Sequence, residues 1–252
     1  MEVVRAVLLK AAINGARTRT EHPAIPLTPE AQAAEVVAAV AAGAGAIHVH
    51  PRDSEGRESL ASRDIARALD AIRASCPGVP VGISTGAWIA PDARGRLSLV
   101  RGWDVLPDFA SVNVHEDGAV ELMRALLDRG VGVEAGVWNA QAARTLQSCG
   151  LAQECLRILI EPAEEKGDAM AALNQIEAAL EGLAVPRLLH GLDASAWQFV
   201  ALAAARGYDT RTGLEDTLRL PDGSIAANNA ALVAAATTMV ATISSERGRQ
   251  HG

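Results

Sequence analysis

The chain has 252 residues, 49% of them apolar, and 23 Lys+Arg against 30 Asp+Glu give a formal charge of −7. So apolar a chain is not disordered, and its length suits one α/β barrel or two small domains. There is no basic run, so no nucleic-acid partner is expected, although a local arginine cluster can still take an anionic substrate.

A strand followed by a helix recurs eight times along the chain. The first strand is expected over Val7 to Asn14, and Gly15 opens a loop containing Pro23 and Pro26. Thr28-Pro29-Glu30 is a helix start, an N-cap residue followed by proline at the first helical position. That helix should run to about Ala42 and stop at Gly43. The second strand is Ala46 to His50, and Ser59 or Ser62 should cap a helix running to Ser75. The third strand is Val79 to Ser84, followed by a short helix within Pro91 to Arg101. Phe109 to His115 and Val131 to Gly136 are strands four and five, with helices over Gly118 to Asp128 and Asn139 to Ser148. Leu156 to Ile160 and Arg187 to His190 are strands six and seven, followed by helices over Asp168 to Glu181 and Ala194 to Ala205. Strand eight, Asp209 to Gly213, is the weakest. The last helix should span Ala226 to about Ser244, leaving a charged, frayed tail over 245–252.

Eight such units in one chain of this length predict a single (β/α)8 barrel domain over residues 1–252. The open doubly wound alternative normally carries an early glycine fingerprint. No G-x-G-x-x-G follows the first strand, and there is no G-x-x-x-x-G-K-[ST]. The three cysteines, Cys76, Cys149 and Cys155, form no C-x-x-C and read as small residues of a reducing compartment. With Glu2, Arg5 and Lys10 among few apolar residues no signal peptide is expected, and charges break every alanine-rich segment, so no membrane span is expected. The expected location is the cytoplasm.

Barrel active sites form at the C-terminal ends of the strands, and here those ends are polar. They carry Asn14 and Arg17, His48 and His50, Ser84 and Thr85, Asn113 and His115, and Glu134. Glu161, His190, Arg211, Glu215 and Asp216 follow. Polar loops account for the carboxylates better than for four histidines at strand ends. Side chains alternate along a strand, so His48 and His50 share a face and can bind one divalent ion. Strand eight pairs with strand one when a barrel closes, which brings Glu215 across the top of strand one. Two histidines and one carboxylate with an open position make a catalytic zinc set.

These motifs resemble the β-keto acid cleavage enzyme family, whose founding activity is 3-keto-5-aminohexanoate cleavage. The matching pieces are Asn14-Gly15-Ala16, His48-Val49-His50-Pro51-Arg52-Asp53, Ser84-Thr85-Gly86, Arg211-Thr212-Gly213-Leu214-Glu215-Asp216 and Asn228-Asn229-Ala230. The resemblance implies a zinc enzyme that converts a β-keto acid and acetyl-CoA to an acyl-CoA and acetoacetate. By the same resemblance His48, His50 and Glu215 hold the metal, and Asp216 is the base, oriented by Arg211. Ser84 would serve the oxyanion or the CoA sulfur. Arg17, Asn14, Thr85, Gly86, Asn113 and Glu134 would contact substrate. The family also implies a homo-oligomer.

The chain departs from the family pattern at two places. Arg17 stands where much of the family has glutamate, and the E-x-E of strand five appears as Glu134-Ala135-Gly136. Both changes predict an anionic or neutral β-keto acid. Plainer roles are open for other residues. Arg52 and Asp53 are expected to pair with each other, His115 and His190 to support the site rather than ligate, and the tryptophans to pack, with Trp138 placed to line the pocket. Two competing readings are a barrel hydrolase of the amidohydrolase type, which wants further histidine ligands, and an inert barrel in which a metal only stabilises the fold.

Overall fold

The computed structural model describes residues 6–162 and 168–250, with side chains described to 247 in the last helix. Glu2, Arg5 and the end of the expected frayed tail lie outside the described side chains. Eight parallel strands close into a barrel in chain order. They are β1 Leu9–Ala12, β2 Ala46–Val49, β3 Val81–Ser84 and β4 Phe109–Asn113, then β5 Gly132–Val137, β6 Arg157–Ile160, β7 Arg187–Leu189 and β8 Asp209–Thr212. The helices between them are α1 Pro29–Ala41, α2 Ser62–Ser75, α3 Ala93–Arg101 and α4 Ala119–Leu127, then α5 Ala140–Ser148, α6 Ala169–Ala179, α7 Ala196–Arg206 and α8 Asn229–Gln250. No described helix is long and apolar enough to cross a membrane.

The helix starts follow local chemistry. Thr28 accepts from the Ala31 amide and Pro29 opens α1, while Asp92, Asn139 and Asp168 cap α3, α5 and α6. The expected cap of α2 is corrected. Its N-cap is Ala61, without a side-chain bond, and Ser59 instead donates to Asp64 and accepts from the Ala61 amide. The last helix also differs at both ends. It begins at Asn229, where Asn228 accepts from the Ala231 amide, and it continues to Gln250 through the stretch expected to fray.

Period-two alternation divides each strand. Outward residues such as Ile47, Val49, Val81, Ile83, Val133 and Ile158 are buried against the helices and form the main core. Each contributes about 1.5–3 kcal/mol by leaving water. The inward residues are mostly polar. Lys10 pairs with Glu134, Arg157 Nε lies 3.4 Å from Glu134, and Arg157 Nη1 lies 3.2 Å from Asp209. Two cations and two anions therefore balance inside the barrel, where an unpaired charge would cost several kcal/mol. Phe109 fills the space beside them, and its ring occupies the place of a side chain at Gly82. A Cβ there would lie 1.9 Å from the ring.

Candidate active site

Strand β2 ends at Val49, so His48 lies on the strand and His50 one residue beyond it. Asn14, just past β1, holds that end. Its Oδ1 accepts from the His50 amide at 2.9 Å and its Nδ2 donates to the His50 carbonyl at 2.9 Å. Asn14 is fully buried. The structure therefore uses it to fix a metal-ligand candidate, and it does not line the cavity where substrate contact was expected.

The loop after β8 reaches the same point over β1. The Glu215 amide donates to the Ala12 carbonyl, and a Cβ at Gly213 would meet that carbonyl oxygen at 2.0 Å. Gly15, with φ +55, leaves room for the Glu215 side chain, whose Cγ would lie 2.5 Å from a Cβ at that position. Asn229 ties the loop down, accepting from the Leu214 amide and donating to the Ile13 carbonyl. Asn14 and Asn229 thus spend their side chains on the backbone that carries His50 and Glu215.

His48 Nε2 and His50 Nε2 lie 3.1 Å apart, and they are 3.7 and 3.5 Å from the two Glu215 oxygens. Bonds of 2.0–2.1 Å to a tetrahedral ion set ligand atoms roughly 3.3 Å apart, so the triad fits one such ion. Glu215 Oε2 is buried without a hydrogen-bond partner, which an ion would supply. This triad is the metal-capable cluster among the described residues. His115 packs on Trp138 with ring centroids 4.9 Å apart, and His190 contacts Glu161 and Arg211. Neither joins the triad, so the described residues do not supply the extra ligands wanted by the hydrolase reading.

Electrostatics separate the two imidazoles. Burial pushes His48 well below its ordinary value. Burial also acts on His50, but Glu215 and Glu58 outweigh it and raise the group to about 9. Glu58 was not foreseen. Its Oε1 lies 2.5 Å from His50 Nδ1, and it also accepts from Trp88 Nε1 at 3.1 Å. The bridge between Arg52 and Glu58 folds it back, and the turn at Asp53-Ser54-Glu55-Gly56 is the sequence signal that could have found it. The expected Arg52–Asp53 pair is absent. Asp53 pairs with Arg57 at 2.9 Å, and Arg52 donates to the Gly15 and Arg17 carbonyls.

Arg211 joins the two acidic neighbours. Its Nη2 lies 2.7 Å from Asp216 and 2.9 Å from Glu215, and its Nε donates to His190 Nδ1 at 3.2 Å. The opposite nitrogen of His190 is 3.1 Å from Glu161. For Glu215, burial is outweighed by Arg211 and both imidazoles, which hold it well below the usual carboxylate range. For Asp216, burial wins over Arg211 and His190 and raises it.

A cavity of about 320 Å3 opens above the triad, lined also by Arg17, Ser84, Asn113, Trp138, Glu161 and Arg211. Asp216 is buried beside it. Four residues expected to touch substrate do not line it. Besides Asn14, Thr85 is buried and donates to the Ser111 carbonyl at 2.7 Å. Gly86 lies under the Trp88 ring, and Glu134 is buried on Lys10. At Gly136, a Cβ would come within 2.7 Å of Asn113 Oδ1, so Asn113 occupies the space of the carboxylate absent from strand five. Arg17 meets Asp193 at 2.7 Å and Glu21 at 3.5 Å.

In barrels of this class the chemistry lies at the carboxyl ends of the strands, and the triad adds a site suited to one divalent ion. The sequence profile of the β-keto acid cleavage enzyme family matches residues 6–247. The chain belongs to that family, whose members cleave carbon–carbon bonds with acyl transfer. It is 26% identical to the 3-keto-5-aminohexanoate cleavage enzyme of Fusobacterium nucleatum, over 98% of this chain and 94% of that one. It is 29% identical to the 3-oxoadipate:acetyl-CoA acetyltransferase of Cupriavidus necator, over 96% of this chain and 89% of that one. Among solved structures, ObcA in its apo form shares the fold at 20% identity, with a TM-score of 0.66 over 90% of this chain. The chain spans 63% of ObcA, under two thirds of its length.

Proposed function

We propose that this protein is a zinc-dependent β-keto acid cleavage enzyme. It would convert a β-keto acid and acetyl-CoA to the acyl-CoA of that acid and acetoacetate. The observation that carries this reading is the convergence of His48, His50 and Glu215 beside the Arg211–Asp216 pair. His48, His50 and Glu215 would hold the ion, which when bound supplies Lewis-acid polarisation of the keto oxygen. Asp216 takes the proton from the carbon between the keto and carboxyl groups. A carboxyl raised by burial is a better base than a surface aspartate. Arg211 orients Asp216 and keeps Glu215 ionised. Ser84, at the end of β3 and on the cavity wall, donates to the oxyanion or assists the CoA sulfur.

The substrate class is an anionic or neutral β-keto acid, with a dicarboxylate such as 3-oxoadipate as the leading candidate. Arg17 on the cavity wall supports this reading, as does the relative named for 3-oxoadipate. A guanidinium offers a planar two-donor fork to a carboxylate. Asp193 already takes one face of it, so a carboxylate tail would share or displace that contact. The test is acetoacetate release from acetyl-CoA and a panel of β-keto acids by zinc-loaded protein. No acetoacetate from any acid in the panel would refute the reaction. A preference for 3-keto-5-aminohexanoate would refute the charge argument alone.

A further inference from the structure

We propose that the groove beside the active-site mouth receives the phosphate-bearing arm of acetyl-CoA, with Arg219 as its phosphate contact. This rests on the acyl-transfer reading above. The cavity over the triad, at about 320 Å3, is near the lower end of the roughly 300–1,000 Å3 usual for small-ligand sites. It must take a β-keto acid and the acetyl thioester together. The pantetheine chain and the nucleotide therefore lie along an adjoining surface.

A second cavity of about 480 Å3 adjoins the first and shares Asp193 with it. One wall is Ala194, in the turn before α7, with Trp197 in its first turn. The other is the segment 217–225, with Leu218, Leu220 and Ile225. Ile225 is 56% exposed, an apolar side chain left open beside a mouth. The pantetheine chain, with its methyl groups and methylenes between amides, suits such a surface.

Arg219 lines the same groove. Its Nη1 donates to the Gly223 carbonyl at 2.8 Å, and no carboxylate pairs with it among the described residues. A cation left without a counterion in a groove of this kind suits a phosphate. The mount is built rather than loose. Trp197 Nε1 donates to the Arg219 carbonyl at 2.8 Å, and Arg219 bridges Ile225 across the Pro221-Asp222-Gly223 turn. The threshold between the cavities is equally fixed. Asp193 has φ +39, its amide donates to the Asp216 carbonyl, and its side chain meets Arg17. A non-glycine residue in that conformation persists where its surroundings hold it.

Two readouts test the groove. Calorimetry with CoA needs no turnover. Wild type should bind it, Arg219→Ala should weaken binding on the order of tenfold or more, and Arg219→Lys should recover part of the loss. In turnover, Arg219→Ala should raise KM for acetyl-CoA by a similar factor. It should leave KM for the β-keto acid unchanged, and also KM for acetyl-pantetheine, which lacks the nucleotide. Ile225→Asp should weaken both thioesters. Equal effects of Arg219→Ala on acetyl-CoA and acetyl-pantetheine, or none on CoA binding, would overturn the assignment. So would Ile225→Asp changing the oligomeric state while CoA binding is unaltered, because a second copy would then cover the groove. Tight, Arg219-dependent CoA binding without any acetoacetate would sustain the groove and sink the reaction instead.

Discussion

Removing Glu58 should expose how this chain tunes its candidate metal site. Glu58 does two things to His50. Its carboxylate lies 2.5 Å from Nδ1 and fixes the ring with Nε2 toward Glu215. Together with Glu215 it also raises His50 to about 9. An ion must displace the proton on His50. In the metal-free protein at pH 7, two units below that value, the proton weakens apparent zinc affinity about 100-fold. Affinity should therefore climb about tenfold per pH unit up to about 9 and then level. His48, depressed by burial, is already neutral, so binding at neutral pH should release about one proton from the pair. In Glu58→Ala the orienting partner is lost, which should cost about 10–100-fold in zinc affinity above pH 9. At neutral pH the loss should shrink, because His50 then holds its proton less firmly. Competition against a chelator across this pH range reads both effects, with circular dichroism as the check on folding. Unchanged affinity above pH 9, or a loss that grows as pH falls, would refute the reasoning.

His48→Ala, His50→Ala and Glu215→Ala should each abolish tight binding of one zinc per chain, read by elemental analysis after dialysis. Asp216→Asn should keep the metal while turnover drops on the order of 10²–10⁴-fold, as for a lost general base. Near-normal turnover would remove Asp216 from the mechanism. Arg17→Glu should reverse the tail preference, depressing a dicarboxylate and raising the amino-substituted acid by roughly 10–150-fold, from about 1.5–3 kcal/mol for a charge-assisted bond. Identical preference in both proteins would show that Arg17 is spent on Asp193 and Glu21. Gly82→Ala should destabilise the barrel by about 1–3 kcal/mol, because the buried Phe109 ring must shift off a Cβ placed 1.9 Å away. A melting temperature equal to wild type would contradict that packing.

The barrel and the triad were legible in the sequence because both follow from periodicity. Alternation put His48 and His50 on one face, and barrel closure brought the end of β8 over β1, where Glu215 stands. What periodicity cannot give is where a polar side chain spends its hydrogen bonds. Asn14 and Thr85 stand at strand ends like Ser84 and Asn113, yet their polar atoms turn to backbone groups. Glu134 follows the inward alternation, but at a level where Lys10 meets it from across the barrel. That pairing joins β1 to β5, strands that are not neighbours, so no local pattern announces it. Glu58 escaped for the opposite reason. Its loop offers Asp53, Glu55 and Glu58, and only the fold of the turn decides which one returns to His50.

Glu215 and Asp216 are consecutive, both buried, and both bonded to the same Arg211 nitrogen, yet their acidities move in opposite directions. Burial pushes each of them up. Glu215 faces the protonated His50 as well as the guanidinium, and together they hold it ionised. Asp216 has turned away from the imidazole pair and keeps only Arg211 and His190, with the charge of Glu215 beside it, so burial prevails. Two carboxyls pushed apart by their surroundings are suited to two different tasks. The ionised one is matched to a cation, and the one with the raised value is matched to a proton. The division supports giving Glu215 to the metal and Asp216 to the base. It also explains why one arginine serves both. Moving the guanidinium would release Glu215 and strip Asp216 of its orientation together, so Arg211→Ala should damage metal affinity and turnover at once, whereas Asp216→Asn should spare the metal.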